Sequence, residues 1–298
     1  MTSSARNASG EGAVAPYAGR RIALATMHGK EKAVAPSMRD VLGAQVVVPP
    51  GLDTDVLGTF SGEVARQGTM GEVAVAKARM GMAASGLRIG LASEGSYGPH
   101  PQVPFVAAGM EILVLVDDER GLAVTESLID DAPCFGHVIA GADEDLGAFL
   151  DRICFPRHAL IVCPNEPAAK GPFVKGIRKP TDLHSAIRAA VAASIDGRAL
   201  VQTDMRAHMN PTRSSTLERL AARLAARLNC TCPACGAPGF GIVDVESGLP
   251  CEWCEGPSVM LRYQVFGCAR TDCDYQEKRP RPDGLTHADP GNCTVCNP

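Results

Sequence analysis

Eight cysteines in the last 67 residues fall into four close pairs, and no other feature restricts the fold as tightly. Cys232-Pro-Ala-Cys235 and Cys251-Glu-Trp-Cys254 are C-x2-C knuckles, Cys268 and Cys273 form a wider C-x4-C pair, and Cys293-Thr-Val-Cys296 comes last. A short knuckle turns two thiolates toward one metal ion at about 2.3 Å, and two such pairs complete a tetrahedral shell. Four pairs therefore predict two structural zinc sites with no coordination position open for catalysis. Sequential pairing, 232/235 with 251/254 and 268/273 with 293/296, is the simplest arrangement; a crossed one fits the spacing equally well. A module of this size with little apolar content needs metal to fold at all.

Cysteines in knuckles are a metal signature rather than a disulfide framework, which points to a reducing, cytoplasmic setting. The sequence has no 18-residue apolar run, so no segment is expected to span a membrane. Charge is unevenly spread. Residues 1–169 hold 13 Lys+Arg against 20 Asp+Glu, residues 170–228 hold 11 against 4, and residues 229–298 hold 5 against 9. The Cys-rich module is thus net acidic. Its aromatic residues Phe240, Trp253, Tyr263, Phe266 and Tyr275 have no basic run beside them, which argues against nucleic acid as a partner.

Upstream, apolar strand-like runs alternate with helical ones. Strands are predicted at Arg21–Thr26, Gln45–Val48, Arg88–Ala92, Glu111–Val116, Ala123–Glu126, His158–Val162 and Ala199–Gln202. Helices are predicted at 70–85, 144–154 and 181–195, with Gly71 and Gly81 weakening the first. This order predicts an α/β fold, a mixed or mostly parallel sheet with flanking helices, followed by a small double zinc-ribbon-like module. The divisions are a disordered lead-in at 1–18, an α/β domain at 19–213, a connecting amphipathic helix at 214–229 and the Cys-rich module at 230–298. Leu217, Leu220, Leu224 and Leu228 form the apolar stripe of the connecting helix, behind a capping box at Ser215 to Glu218.

Three polar stretches are candidates for chemistry. After the first strand, Thr26-Met-His28-Gly-Lys30 leads into a helix start, where backbone N–H groups and an ammonium suit a phosphate. Gly58 to Glu63 and Arg66 precede the helix bearing Glu72 and Lys77, and Glu94 follows an apolar strand among small residues, where a carboxylate can hold magnesium or activate water. The third is Thr203-Asp-Met-Arg-Ala-His-Met-Asn-Pro-Thr-Arg213. There Asp204 sits at a strand end, Arg206 and Arg213 can fork onto phosphate, Asn210 can donate, and His208 can serve as acid or donor. Asp117 and Asp118 are further metal-ligand candidates. Cys134, Cys154, Cys163, His137, His158 and His184 read as structural.

The order of the first elements resembles the inosine/xanthosine triphosphate pyrophosphatase superfamily. Ala25-Thr26 and Lys30 match its phosphate-binding start, Glu72 and Lys77-Ala78 its helix, and Glu94-Gly95 its acidic loop, with His28 where that family has Asn. The resemblance implies magnesium-dependent cleavage of a nucleoside triphosphate to monophosphate and pyrophosphate. The whole chain also resembles an uncharacterised bacterial family in which such a domain ends in T-D-M-R-A-H-x-N-P-T-R and a Cys-rich tail.

The expectation is a hydrolase acting on a phosphorylated small molecule or nucleotide. In it Glu94, Glu72, Asp204 and His208 act on metal, water or protons, and Thr26, His28, Lys30, Arg66, Lys77, Arg206, Asn210 and Arg213 hold the anion. The rival class is a non-catalytic binding protein, with a zinc module that recognises a macromolecule and an α/β domain that senses an anion.

Overall fold

The computed structural model describes residues 15–59, 64–100, 103–166 and 171–297. Most of the lead-in (1–14) and the Phe60–Glu63 part of the second polar stretch lie outside those residues.

The alternation of strands and helices resolves into two sheets. The first runs β2 (Gln45–Val47), β1 (Arg21–Leu24), β3 (Ile89–Pro99), β4 (Ala107–Asp117), β5 (Leu122–Asp130). It is mixed: β1 is parallel to β2 and β3, and β4 is antiparallel to both β3 and β5. Helix α1 (Glu31–Leu42) joins β1 to β2 on one face, and α2 (Met70–Ser85) joins β2 to β3 on the other. Period 2 along β3 divides its side chains accordingly. Ile89 and Leu91 join the core under α1, whereas Ala92 packs with Ala74 and Ala78 of α2. Helix α2 keeps Gly81 because a Cβ there would stand 3.2 Å from that of Ala25, where helix and strand meet most closely. Its N-terminus carries a complete capping box, Thr69 with Glu72.

The second sheet is antiparallel, in the order β6 (His137–Ala140), β9 (Ala199–Thr203), β7 (Leu160–Pro164), β8 (Val174–Ile177). Helices α3 (Gly147–Arg152) and α4 (Pro180–Ala193) supply Phe149, Leu183, Ile187 and Ala190 to its core.

Helix α5 (Pro211–Leu228) is more than a connector. Its stripe of Leu220, Ala221, Leu224, Ala225 and Leu228 is fully buried in the core of the first sheet, alongside Val34 and Met38 of α1. Residues 15–18 also belong to the folded body. Tyr17 is completely buried, its hydroxyl donates to Asp117 at 3.1 Å, and Arg120 donates to Pro16 O at 2.8 Å. Composition made this stretch part of a disordered lead-in. A single large ring with a long-range partner outweighs that polar surrounding, and Asp117 is thereby an internal acceptor rather than a metal-ligand candidate.

The Cys-rich region is a three-stranded antiparallel sheet, β10 (Gly241–Ser247), β11 (Leu261–Gly267) and β12 (Gln276–Pro280), flanked by two cysteine clusters. Ala237, Cys268 and Ala269 pack on the main core, and Arg227 of α5 bonds Gly239 O, Thr125 O and Glu126. Among the described residues no helix is long and apolar enough to cross a membrane.

Candidate functional site

The chain leaves β1 for β2 over one face and returns past β1 to β3 over the other. A switch of this kind opens a crevice at the carboxyl ends of the two strands, where open α/β sheets take their ligands. Pairing of β1 with β3 stops at Leu24 and Leu91, whereas β3 continues to Pro99 against β4. The overhang leaves a notch in the sheet beyond the end of β1, beside the Ser93-Glu94-Gly95 segment of β3.

On the α2 face two cations meet one carboxylate. Glu94 is 6% exposed and pairs with Lys77 of α2 and, at 3.6 Å, with Arg66. Arg66, the more exposed of the two cations, also donates to Gly95 O at 2.6 Å. From the α1 face comes Lys30, buried at the helix start, whose ammonium donates to Ser93 O at 3.0 Å. Among the described residues it has no ion pair, and Glu94 and Glu111 act on it only from further away. Burial pushes its pKa down to about 8, and the nearby Arg213 adds to the effect. Ser93 is 1% exposed, and among the described residues its Oγ has no hydrogen-bond partner. A buried ammonium without a counter-ion and a buried hydroxyl without a partner therefore share one face of the notch. Gly95 completes it, since a Cβ there would overlap the Glu111 carboxylate.

Beyond the notch lies a cleft of about 290 Å³ between the two sheets, lined by Arg66, Gly95, Tyr97, Phe135, Gln202 and Met205. A smaller hollow lined by His28, Asp55, Lys175, Asp204 and Arg206 adjoins it, sharing Thr59 and Ile161. A larger hollow, about 630 Å³, lies between Thr26, Gly29 and the 48–53 segment. It is lined by Glu31 and Asp53 and by no lysine or arginine, so an anion is better matched by the cleft.

The 203–213 stretch is mainly the joint between the two sheets. Asp204, with no exposure, accepts from Gly176 N and from Arg206 through Nε and Nη2, holding that guanidinium at the rim of the hollow. His208 stacks on His28 with ring centroids 5.6 Å apart, and its Nδ1 lies 3.0 Å from His28 O. His28 in turn sits 3.3 Å from Asp55. Burial holds the His28 pKa below the ordinary imidazole value, against the pull of Asp55. Asn210 is the N-cap of α5, accepting from Arg213 N at 3.0 Å while donating to Cys134 O.

Arg213 lies elsewhere than at an anion cleft. It is 1% exposed, forked onto Glu111 through Nε at 2.6 Å and Nη2 at 3.3 Å, and its Nη1 donates to Met205 O. Tyr97 adds a hydroxyl to Glu111 at 2.6 Å. Glu72 is likewise away from the notch, capping α2. Thr26 accepts from His28 N and shapes the turn into α1. The notch thus gathers Lys30, Arg66, Lys77 and Glu94, with Arg206 and His28 at the adjoining hollow. Ser93 and Glu111 were not singled out from the sequence: one is a small residue at a strand end, the other opens an apolar run.

The cysteine clusters are crossed. Cys232, Cys235, Cys268 and Cys273 form one group, and Cys251, Cys254, Cys293 and Cys296 the other, each within 4.8 Å. The antiparallel β10–β11 hairpin carries the second knuckle at its far end and returns Cys268 to the first, so sequential pairing gives way to alternation. Sγ separations of 3.9, 3.5, 3.9 and 3.7 Å match the ~3.8 Å edge of a tetrahedron built on ~2.3 Å metal–sulfur bonds. Each cluster could hold one metal ion.

An α/β body with a notch at its strand switch, tied to a module with two four-cysteine clusters, is the class of protein that fold and sites define. Residues 77–298 match the family model described as a domain of unknown function, DUF6671, and the chain belongs to that family. The match opens within α2 at Lys77 and takes in Glu94, Arg206 and both clusters; β1 and Lys30 precede it. No curated protein matches the chain.

Proposed function

We propose that the notch binds the phosphate chain of a small molecule, a nucleoside triphosphate or a similar anhydride, and that the chain is a hydrolase acting on it. The observation that carries this reading is the pair formed by Lys30 and Ser93. Burying an ammonium without a counter-ion and a hydroxyl without a partner costs several kcal/mol, and an incoming phosphate oxygen satisfies both. Arg66 extends the positive charge into the cleft, with Lys175 and Arg206 beyond it. Glu94 is the carboxylate placed to hold a divalent cation such as magnesium, which would neutralise phosphate charge. Opening its pair with Lys77 would free that lysine for the anion. Two structural zinc ions are the best match for the four-thiolate clusters, closed sites that shape the module and leave chemistry to the notch.

The reading is tested by incubating the purified protein and Mg²⁺ with standard and deaminated nucleoside triphosphates while following phosphate and pyrophosphate. Release lost in Lys30→Met and in Glu94→Gln is expected. A panel without release, or release untouched by Lys30→Met, overturns it.

A further inference from the structure

The first two knuckles share one backbone. Cys232 N donates to Ala237 O at 2.8 Å and Cys251 N to Gly256 O at 2.8 Å; Gly236 N returns to Cys232 O and Glu255 N to Cys251 O. Bridges Thr231–Pro238 and Pro250–Pro257 close both loops, and the residue after the second cysteine is left-handed in each, Gly236 at φ 73° and Glu255 at φ 58°. The scaffold therefore accepts Pro-Ala between its cysteines and glycine after them. In the second knuckle the same positions carry Glu252, Trp253 and Glu255. Nothing in the turn calls for them, and Glu255 occupies a conformation unfavourable to a side chain by about 1 kcal/mol.

The surroundings differ in the same sense. The first cluster is seated on the body, with Ala237 and Cys268 against the core. The second carries exposed apolar side chains: Trp253 is 75% exposed, Val295 on the facing knuckle 73% and Val259 on the adjoining loop 63%. Val259 N bonds Asn292 O, which ties that loop to the Cys293–Cys296 knuckle. The two segments that build this end, 249–261 and 282–298, contain Glu252, Glu255, Asp283 and Asp289 and no lysine or arginine. Asp283 is paired with Arg281 and Asp289 with Gly291 N; Glu255 lies 3.5 Å from His287 Nε2, and Glu252 and Glu255, either side of Trp253 in the chain, are both exposed.

We propose that this end of the module is a docking surface for an Arg- and Lys-bearing, partly apolar segment of a partner protein. An indole face attracts a guanidinium or ammonium, flanking carboxylates strengthen that preference, and the two valines take the apolar side chains between the charges. The same negative field repels nucleic acid.

Trp253 is the only tryptophan, so its emission reports the surface directly. The full-length protein is titrated with an alternating Arg/Leu decapeptide, a Glu/Leu decapeptide and a 20-base-pair DNA duplex. A saturable emission shift with the Arg/Leu peptide alone is expected, weakened at least tenfold in the Glu252→Gln, Glu255→Gln double variant, whose folding is checked by its metal content. Anisotropy of a labelled Arg/Leu peptide is expected to show the same loss in Trp253→Ala. No shift with the Arg/Leu peptide, an equal response to the Glu/Leu peptide, binding of DNA, or affinity unchanged in the variants would each overturn the proposal.

Discussion

Two buried cations stand on the same face of the first sheet, and they are treated in opposite ways. Arg213 has its charge matched by Glu111 and its donors taken up by that carboxylate and by Met205 O, with Tyr97 completing the carboxylate's shell. Among the described residues Lys30 has one carbonyl, no ion pair and an unpartnered hydroxyl on the same residue as that carbonyl. The first is a finished network that fixes α5 against β4. The second is stabilising only when something else completes it. Here the satisfied pair belongs to the architecture, and the unsatisfied Lys30–Ser93 pair is the place proposed for a ligand.

The largest effect expected is on the satisfied side. Arg213→Met strands a buried Glu111 carboxylate, a loss of about 3–5 kcal/mol, visible as a lower denaturant midpoint. Lys30→Met, of similar shape, is expected to leave the midpoint unchanged or raised; equal destabilisation by both variants would erase the distinction.

The pH dependence of stability separates the same pair. The Lys30 pKa is depressed in the folded state to about 8, from an ordinary value of 10.5. Between those values the unfolded chain binds more protons, so stability rises with pH over that window, and the cost of the buried charge is fully present below it. Unfolding midpoints measured from pH 7 to 10.5 are expected to climb more steeply for the unmodified protein than for Lys30→Met. Parallel curves would show that Lys30 carries no such cost.

Two hydroxyls sharpen the contrast on a smaller scale. Thr216 Oγ1 donates to the buried Asp130 at 2.7 Å, and Thr216→Val is expected to cost about 1–3 kcal/mol. Ser93→Ala, which removes an orphan Oγ, is expected to change stability by less than about 0.5 kcal/mol or to raise it slightly. Chemical denaturation of both variants decides the point; a Ser93→Ala loss as large as that of Thr216→Val means the Oγ is already satisfied.

Much of the fold was legible in the sequence wherever the controlling interaction was local. Helix α2 falls at 70–85 as expected, because its capping box and apolar repeat lie within the segment. The four cysteine pairs announce two four-cysteine clusters by spacing alone. Strand β3 outran its expected end at Ala92, since its polar continuation to Pro99 is held by pairing with β4, not by composition. The crossed assignment of cysteines depends on a hairpin reversal between residues 241 and 267 that the spacing does not encode. The candidate site divides the same way. Lys30, Arg66, Lys77 and Glu94 stood out as charges along the first polar stretches and the 70–85 helix; Arg66 and Lys77 pair with Glu94, and Lys30 bonds the neighbouring Ser93 O. Arg213 looked like an anion clamp because Glu111, its partner, lies 102 residues away. The 203–213 stretch is dense in polar groups because it joins two sheets, and of its side chains Asp204 and Arg206, paired with each other, line the adjoining hollow.

The most direct test of the Lys30–Ser93 notch is calorimetric titration with inorganic tripolyphosphate, which carries the anhydride chain and no base. One saturable site is predicted, tightening as pH falls from 9 to 7 while Lys30 gains its proton, weakened at least tenfold in Lys30→Met and also weakened in Ser93→Ala. Absence of binding, or equal affinity in Lys30→Met, would contradict the account.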